Sequence, residues 1–285
     1  METPEKSPGN HTPPRLPFSR GIAWLVQSLA LMRMQSGRLL LIAVFMQVIL
    51  GLTQMPYIGI LVVLSVPALS AGVLDAFDVT SRGGRPGLNL LFRPLVSGAP
   101  AGRLLLMGVM VFVIGILSIS LMLSGTEELL DPELISRVEQ GDIEAITQMD
   151  QNTLRKMFMA FLTGIAISGT LSYFTIPLIW FGGRKVAVAL AEGIKALFIH
   201  WKPFLVLALA LFAVGIPVVI VTAALIALAT SGGILAVIGT AAIMLLMLAF
   251  QMLLFGTQFC AYRDIFGGGE EAGPPPLEDD SQLLA

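Results

Sequence analysis

The sequence predicts an all-α membrane protein. We expect a polytopic bundle of six transmembrane helices, with amphipathic interfacial helices and a short acidic periplasmic helical hairpin. Of the 285 residues, 55% are hydrophobic and 13% are charged, whereas soluble domains carry about 25% charged residues. The apolar residues fall in runs long enough to cross a bilayer, which takes about 20 residues per helix. A soluble enzyme, a secreted disulfide scaffold and a disordered chain are therefore excluded.

Charge, cysteine and histidine content narrow the function classes. The formal net charge of −2 argues against a nucleic-acid-binding protein. The single cysteine, Cys260, permits neither an internal disulfide nor a multi-cysteine metal site. His11 and His200 form no paired-histidine motif, and we expect His200 to be a surface residue. Since the sequence holds no phosphate-binding loop and no nucleophile elbow, we expect no cofactor, no metal and no catalytic residue.

A membrane domain is predicted between two polar tails. Residues 1–18 are rich in Pro, Gly, Ser and Thr, which is typical of a disordered tail. Residues 267–285 are rich in Gly and Pro and then acidic, and predict a flexible tail. Residues 19–266 form the six-helix domain. Its predicted spans cover about residues 39–53, 57–75, 104–123, 157–181, 204–229 and 234–259.

Residues 124–153 form the predicted outer loop. They hold eight acidic residues, and Asp131-Pro132 is typical of a helix start, because aspartate caps the first turn and proline fits the first helical position. The acids lack the alternating spacing of a calcium loop. We therefore expect a solvated helical hairpin rather than a cation site.

Two further helices are predicted to lie at the membrane surface, because apolar residues recur on one side of each. These residues are Ile22, Leu25, Val26, Leu29 and Met32 in the first helix, and Val186, Leu190, Ile194, Leu197 and Trp201 in the second. Each helix precedes a pair of spans, so residues 20–78 and 184–264 repeat the same hydropathy pattern. The copies end on Asp78 and Asp264.

Positive charge predicts the orientation. Of the 17 Lys and Arg residues, only Arg137, Arg155 and Lys156 belong to the side of the outer loop. Positive charge accumulates in cytoplasmic loops, so we expect both termini in the cytoplasm. The three tryptophans fall at the predicted inner boundary, which amphipathic rings prefer.

Four glutamines and one tyrosine form a candidate polar seam inside the membrane. Gln47 and Gln54 lie two helical turns apart, Gln251 and Gln258 repeat that spacing, and Tyr173 is near mid-membrane. A seam could line a path for a small solute or a lipid headgroup. It could also form interhelical hydrogen bonds worth roughly 0.5–2 kcal/mol each. We favour the second interpretation, because amides do not ionise and proton or ion pathways usually need charge.

Charged residues at the inner ends of the spans form a candidate cytoplasmic charge cluster. They are Asp75, Asp78, Arg82, Arg85, Arg184, Lys185, Arg263 and Asp264. Such a cluster could contact lipid phosphates or a partner, although charges commonly mark where helices leave the bilayer. Pro67, Pro177 and Pro217 lie inside predicted spans and can kink them; such kinks either line a transport site or are satisfied locally.

The sequence over about residues 20–266 resembles a family of uncharacterised proteobacterial inner-membrane proteins. These are the YciC-like group, related to the membrane domain of some glycerophosphodiester phosphodiesterases. The resemblance rests on Gly21-Ile22-Ala23-Trp24-Leu25, Pro67-Ala68-Leu69-Ser70-Ala71-Gly72, the segment from Ala189-Leu190 to Trp201-Lys202, and Ala261-Tyr262-Arg263-Asp264-Ile265-Phe266. It implies a six-helix bundle in the inner membrane and supplies no catalytic residues.

These observations predict a non-catalytic accessory or scaffold protein that binds other membrane proteins or lipids. The alternative is a small permease or lipid-handling protein with a polar seam between kinked helices. The expected partners are anionic lipid headgroups at the inner face, and another membrane protein or a second copy of the chain.

Overall fold

The computed structural model describes residues 16–55, 57–123, 137, 151–230 and 232–267. These residues form nine α-helices, one turn of 3₁₀ helix at Leu52–Gln54 and no strand. The helices are α1 (Arg20–Met34), α2 (Ser36–Gly51), α3 (Ile58–Ser81), α4 (Asn89–Val96), α5 (Ala99–Leu123), α6 (Gln151–Trp180), α7 (Val186–Ile199), α8 (Trp201–Ala229) and α9 (Gly233–Phe266). Nearly all of the two predicted tails and of the outer-loop hairpin lies outside the described residues.

The prediction of an all-α membrane bundle is confirmed. Within the described residues, six helical segments are long and apolar enough to cross a membrane: Ser36–Gln54, Ile58–Ser81, Ala99–Ser118, Leu154–Trp180, Trp201–Ala229 and Gly233–Phe266. Several of them continue past the apolar run. Helix α9 has 34 residues, which is about 51 Å at 1.5 Å per residue, against a hydrocarbon core of about 30 Å. The helix is therefore longer than the core is thick.

The chain folds as two compact units. We call residues 33–194 the middle unit, and residues 1–32 with 195–285 the terminal unit. The boundaries fall inside α1 and α7, so the last residues of α1 belong to the middle unit and the last residues of α7 to the terminal unit.

Helix α3 is the centre of the middle unit. Two thirds of its most apolar window is buried, and it contacts α2, α4, α5 and α6. Two glycines allow the close approach: a Cβ on Gly72 would meet the backbone of Leu91, and one on Gly108 of α5 would overlap the carbonyl oxygen of Leu64. Small residues at such contacts are typical of membrane helices, where van der Waals packing drives association.

The terminal unit consists of an α8–α9 hairpin with α1 packed on it. Gly232 and Gly233, with φ of 83° and 61°, make the turn that only glycine adopts without strain. Gly21 of α1 lies against the backbone of Pro203 in α8, and the hydroxyl of Ser28 donates to the carbonyl of Leu253 in α9 (3.1 Å).

The face of α1 that packs on the protein differs from the predicted apolar face. Gly21, Trp24, Leu25 and Ser28 are buried, whereas the predicted face is exposed at Ile22, Val26 and Leu29. The second amphipathic helix behaves in the same way. Its buried residues are Ala189, Gly193, Ala196 and, just beyond the helix, His200. Small residues thus form much of the packed face of both helices, and Trp24 and Leu25 join them in α1.

The packing also crosses the hydropathy repeat. Helix α1 belongs to the first copy, yet it packs on the hairpin of the second copy. A Cβ on Gly193 of α7 would lie 3.1 Å from the Cβ of Phe174. Phe174 belongs to α6, which precedes the second copy. The surface helices therefore contact elements outside their own repeat.

Candidate functional site

A carboxylate near the end of α9 binds two residues of α1. The carboxylate of Asp264 accepts two hydrogen bonds from the guanidinium of Arg20, in which the Nε–Oδ2 distance is 2.8 Å. It accepts a third from the indole Nε1–H of Trp24, at 2.9 Å. Arg20 and Trp24 lie four residues apart, so they share one helix face. Trp24 is fully buried and its ring centre lies 5.1 Å from that of Phe204. The carboxylate thus fastens α1 to the hairpin.

This contact also fixes the charge state of Arg20. The hydrogen bond from its side chain to Asp264 is the largest influence and raises the pKa of Arg20 above its ordinary value, against a smaller lowering by burial. The guanidinium therefore stays charged, and its forked geometry suits the two carboxylate oxygens.

A second cluster of the same composition lies in the middle unit. Asp75 of α3 is buried, and its Oδ2 accepts a hydrogen bond from Nη1 of Arg93 in α4 at 3.0 Å. The guanidinium carbon of Arg93 lies 5.8 Å from the centre of the Trp180 ring at the end of α6, within cation–π range. Each unit therefore holds one aspartate neutralised by an arginine beside a tryptophan.

The remaining residues of the predicted charge cluster make separate local contacts. Asp78 pairs with Arg82 one turn later at 2.9 Å, and Arg184 lies 3.5 Å from Glu192. Arg263 lies over the ring of Phe259 at 5.6 Å. Arg85 and Lys185 are exposed. Six of the eight predicted residues belong to the middle unit, and Arg263 and Asp264 belong to the terminal unit.

One contact that the sequence did not predict is made by Arg103 of α5. It donates to the carbonyl of Gly183 in the α6–α7 turn at 2.5 Å. Its position at the basic end of a span was visible in the sequence, but the carbonyl that accepts from it was not.

The predicted polar seam is not equally buried along its length. Gln47 and Gln54 are exposed, Gln251 is half-buried and Gln258 is buried. Tyr173 is half-buried and meets Phe174 edge-on, with 4.9 Å between ring centres. The buried residues of α2 are Leu39, Ile42, Ala43 and Met46. The amide of Gln47 therefore lies off the face that packs within the middle unit.

The three prolines all lie inside continuous helices. Pro67 is in α3, Pro177 in α6 and Pro217 in α8. The first two are buried, whereas Pro217 is exposed.

A groove of about 220 Å³ lies in the terminal unit where α8 begins. It is lined by Leu16, Pro17, Phe18, Ile199, Trp201 and Lys202. The backbone N–H of Leu16 donates to Nδ1 of His200 at 3.4 Å. The ammonium of Lys202 lies 5.2 Å from the centre of the Phe18 ring. Residues 16–18 are thus held against the α7–α8 junction and form one wall of the groove.

The expectation that His200 is a surface residue is wrong. Its relative exposure is 3%, because it continues the small-residue face of α7 that includes Gly193 and Ala196. Burial lowers the pKa of His200 below its ordinary value, with a smaller opposing effect of Asp264. The small-residue spacing was the signal in the sequence that marked this face as buried.

Among the described residues, no group of three or more His, Cys, Asp or Glu side chains is placed to hold a metal ion. Comparison with known proteins finds no family model, no curated protein and no solved structure that matches the chain.

Proposed function

We propose that the protein is a non-catalytic scaffold of the bacterial inner membrane that binds another transmembrane protein, or a second copy of itself, through the exposed face of α2. The observation that carries this proposal is the exposed amide of Gln47. It lies seven residues before Gln54, which ends the span, or about 10 Å along a helix axis. At that distance from the end of the span, we expect the amide to lie within the hydrocarbon layer.

An amide in hydrocarbon needs a hydrogen-bond partner, because no water is available there. On the face of α2 that carries Gln47, the residues one turn before and one turn after it, Val44 and Gly51, are also exposed. A helix from a partner that packs on this face would supply both the apolar contact and the hydrogen bond. Interhelical hydrogen bonds of this kind contribute about 1–2 kcal/mol in model peptides.

The distribution of charge supports a scaffold over a permease. Asp75 and Asp264 are each occupied by an arginine, so neither is a free carboxylate for proton or cation transfer. Gln47 and Gln54, which both lie in the span Ser36–Gln54, are exposed. Gln258 is buried in α9. The permease alternative instead predicts that Gln251 and Gln258 line a solute path.

The test is co-purification of the tagged full-length protein in mild detergent. Gln47→Leu removes the amide at nearly constant volume, and Val48→Leu, which changes an exposed side chain about 100° around the same helix and off that face, is the matched control. We expect Gln47→Leu to weaken capture of a membrane protein or of a second copy by about five- to thirty-fold, which corresponds to 1–2 kcal/mol, and Val48→Leu to leave capture unchanged. Equal capture by both variants and the wild type would refute the proposal.

We further propose that both termini lie in the cytoplasm. The support is the small number of basic residues near the outer loop and the positive-inside rule. Reporter fusions at residue 140 and after residue 285 should report opposite sides of the membrane, and a shared side would refute this orientation. The resemblance to YciC-like inner-membrane proteins stays a prediction of the same kind.

A further inference from the structure

We propose that the groove between residues 16–18 and the start of α8 binds the phosphate-bearing headgroup of an anionic phospholipid. This inference is independent of the proposed scaffold role, because it concerns the terminal unit and not the exposed face of α2.

The groove lies at the depth of a lipid headgroup. Helix α8 begins at Trp201 and is the most apolar span, with a mean hydropathy of 3.0, so the groove is at the boundary where that span leaves the hydrocarbon. Trp201 and Phe18, on its walls, are half-exposed. Aromatic rings in this position are typical of the membrane–water interface.

Most of the described charges of the terminal unit are basic. The described part of the terminal unit contains Arg20, Lys195, Lys202 and Arg263, and Asp264 is its one acidic residue. Asp264 is already occupied by Arg20. Because α8 and α9 form an antiparallel hairpin, the start of α8 and the end of α9 lie at the same end. Lys202 near the start of α8 and Arg263 near the end of α9 therefore lie at the end of the hairpin where the groove is.

Lys202 is the charged group of the groove itself. It is exposed, and among the described residues no carboxylate lies within ion-pair distance of it. Its ammonium is positioned over the Phe18 ring. An ammonium is a compact charge with three donors, so Lys202 can bind a phosphate oxygen at the mouth of the groove.

Size and lining define which part of a lipid fits. The groove has a volume of about 220 Å³, well above the space of about 10–15 Å³ that a single water needs. That space accommodates a phosphate and the adjoining glycerol carbons, and it leaves the acyl chains outside, alongside α8. Leu16, Pro17 and Ile199 provide apolar walls for the carbon atoms.

The test is native mass spectrometry of the full-length protein in detergent with added phosphatidylglycerol or phosphatidylcholine. Lys202→Gln removes the charge inside the groove. Lys195→Gln removes the same charge from an exposed position of the terminal unit outside the groove, and Lys202→Arg retains it. We expect one phosphatidylglycerol bound to the wild type in preference to phosphatidylcholine, a loss of at least tenfold in apparent affinity for Lys202→Gln, and less than threefold for the other two variants.

Three outcomes would overturn the proposal. Equal losses for Lys202→Gln and Lys195→Gln would show diffuse attraction to the basic surface instead of a site. Equal retention of the two lipids by the wild type would remove the preference for an anionic headgroup. Displacement of the lipid by glycerol 3-phosphate or inorganic phosphate at the same concentration would make a free phosphate compound the ligand. Gln47→Leu should leave phosphatidylglycerol binding unchanged, so a failure of the scaffold proposal is distinguishable from a failure here.

Discussion

Replacing Asp264 should detach α1 from the α8–α9 hairpin while leaving the spans in the membrane. In Asp264→Ala, the buried indole N–H of Trp24 and the guanidinium of Arg20 both lose their acceptor. Asp78→Ala is the matched control, because Asp78 ends the first hydropathy copy as Asp264 ends the second. Asp78 pairs only one turn away along its own helix, with Arg82.

The magnitudes follow from burial. A buried donor without an acceptor costs about 1–3 kcal/mol, and Trp24 is completely buried. The Asp264 side chain is 11% exposed but that of Arg20 is 35% exposed, so water recovers part of the lost ion pair. We therefore expect Asp264→Ala to lower the free energy of unfolding of the terminal unit by about 2–4 kcal/mol. Arg82 is 76% exposed, and exposed helical pairs contribute about 0.3–0.5 kcal/mol.

The assay is denaturation in mixed micelles with Trp24 as the reporter, in a background that carries Trp180→Phe and Trp201→Phe. Asp264→Asn should give an intermediate loss, because the amide oxygen still accepts one of the two donors. If Asp264→Ala shifts the Trp24 transition no further than Asp78→Ala does, the ion pair and indole hydrogen bond do not hold α1, and the reasoning is refuted.

Two further predictions concern a buried imidazole and a close helix contact. Burial keeps the pKa of His200 below its ordinary 6.5, opposed in part by Asp264. The folded protein therefore favours the neutral imidazole, and the stability that this contributes is fully present above pH 6.5 and is lost as the pH falls through the lowered pKa. Hydrogen exchange at the Leu16 amide should therefore accelerate from pH 7.5 to 5.5 after correction for intrinsic rate, and a His200→Phe variant that keeps this acceleration would contradict the assignment. Gly108→Ala should destabilise by about 1–3 kcal/mol through overpacking, whereas Gly115→Ala, with nothing within 4 Å of its Cβ, should be neutral or stabilising by up to about 1 kcal/mol; equal shifts in the thermal midpoint in detergent would contradict the close contact.

Hydropathy predicted the six membrane-length helices because lipid requires a continuous apolar helix at each crossing. It predicted helix ends less well, since a helix does not stop where its hydrophobicity stops. Helix α3 continues from Asp75 to Ser81, and α9 continues past Phe259 to Phe266. These extra turns carry the charged residues that the clusters use.

The orientation of α1 shows why the candidate site was harder to predict. In a soluble protein the most apolar face is buried, whereas in a membrane the large apolar residues can face lipid and small residues pack on protein. Gly21 and Ser28 were therefore better guides than Ile22 and Val26. The pairing of Arg20 with Asp264 spans 244 residues, and no local pattern in the sequence specifies so distant a partner.

The position of α1 has a consequence for biosynthesis. The indole of Trp24 is synthesised 240 residues before the carboxylate that accepts its hydrogen bond. At about 5–20 residues per second, α1 waits on the order of 12–50 s beside the nascent chain before its docking surface exists. Any ribosome that stops short of the last helix leaves Trp24 and Arg20 unburied at the membrane surface, where a quality-control protease could recognise the unfinished protein.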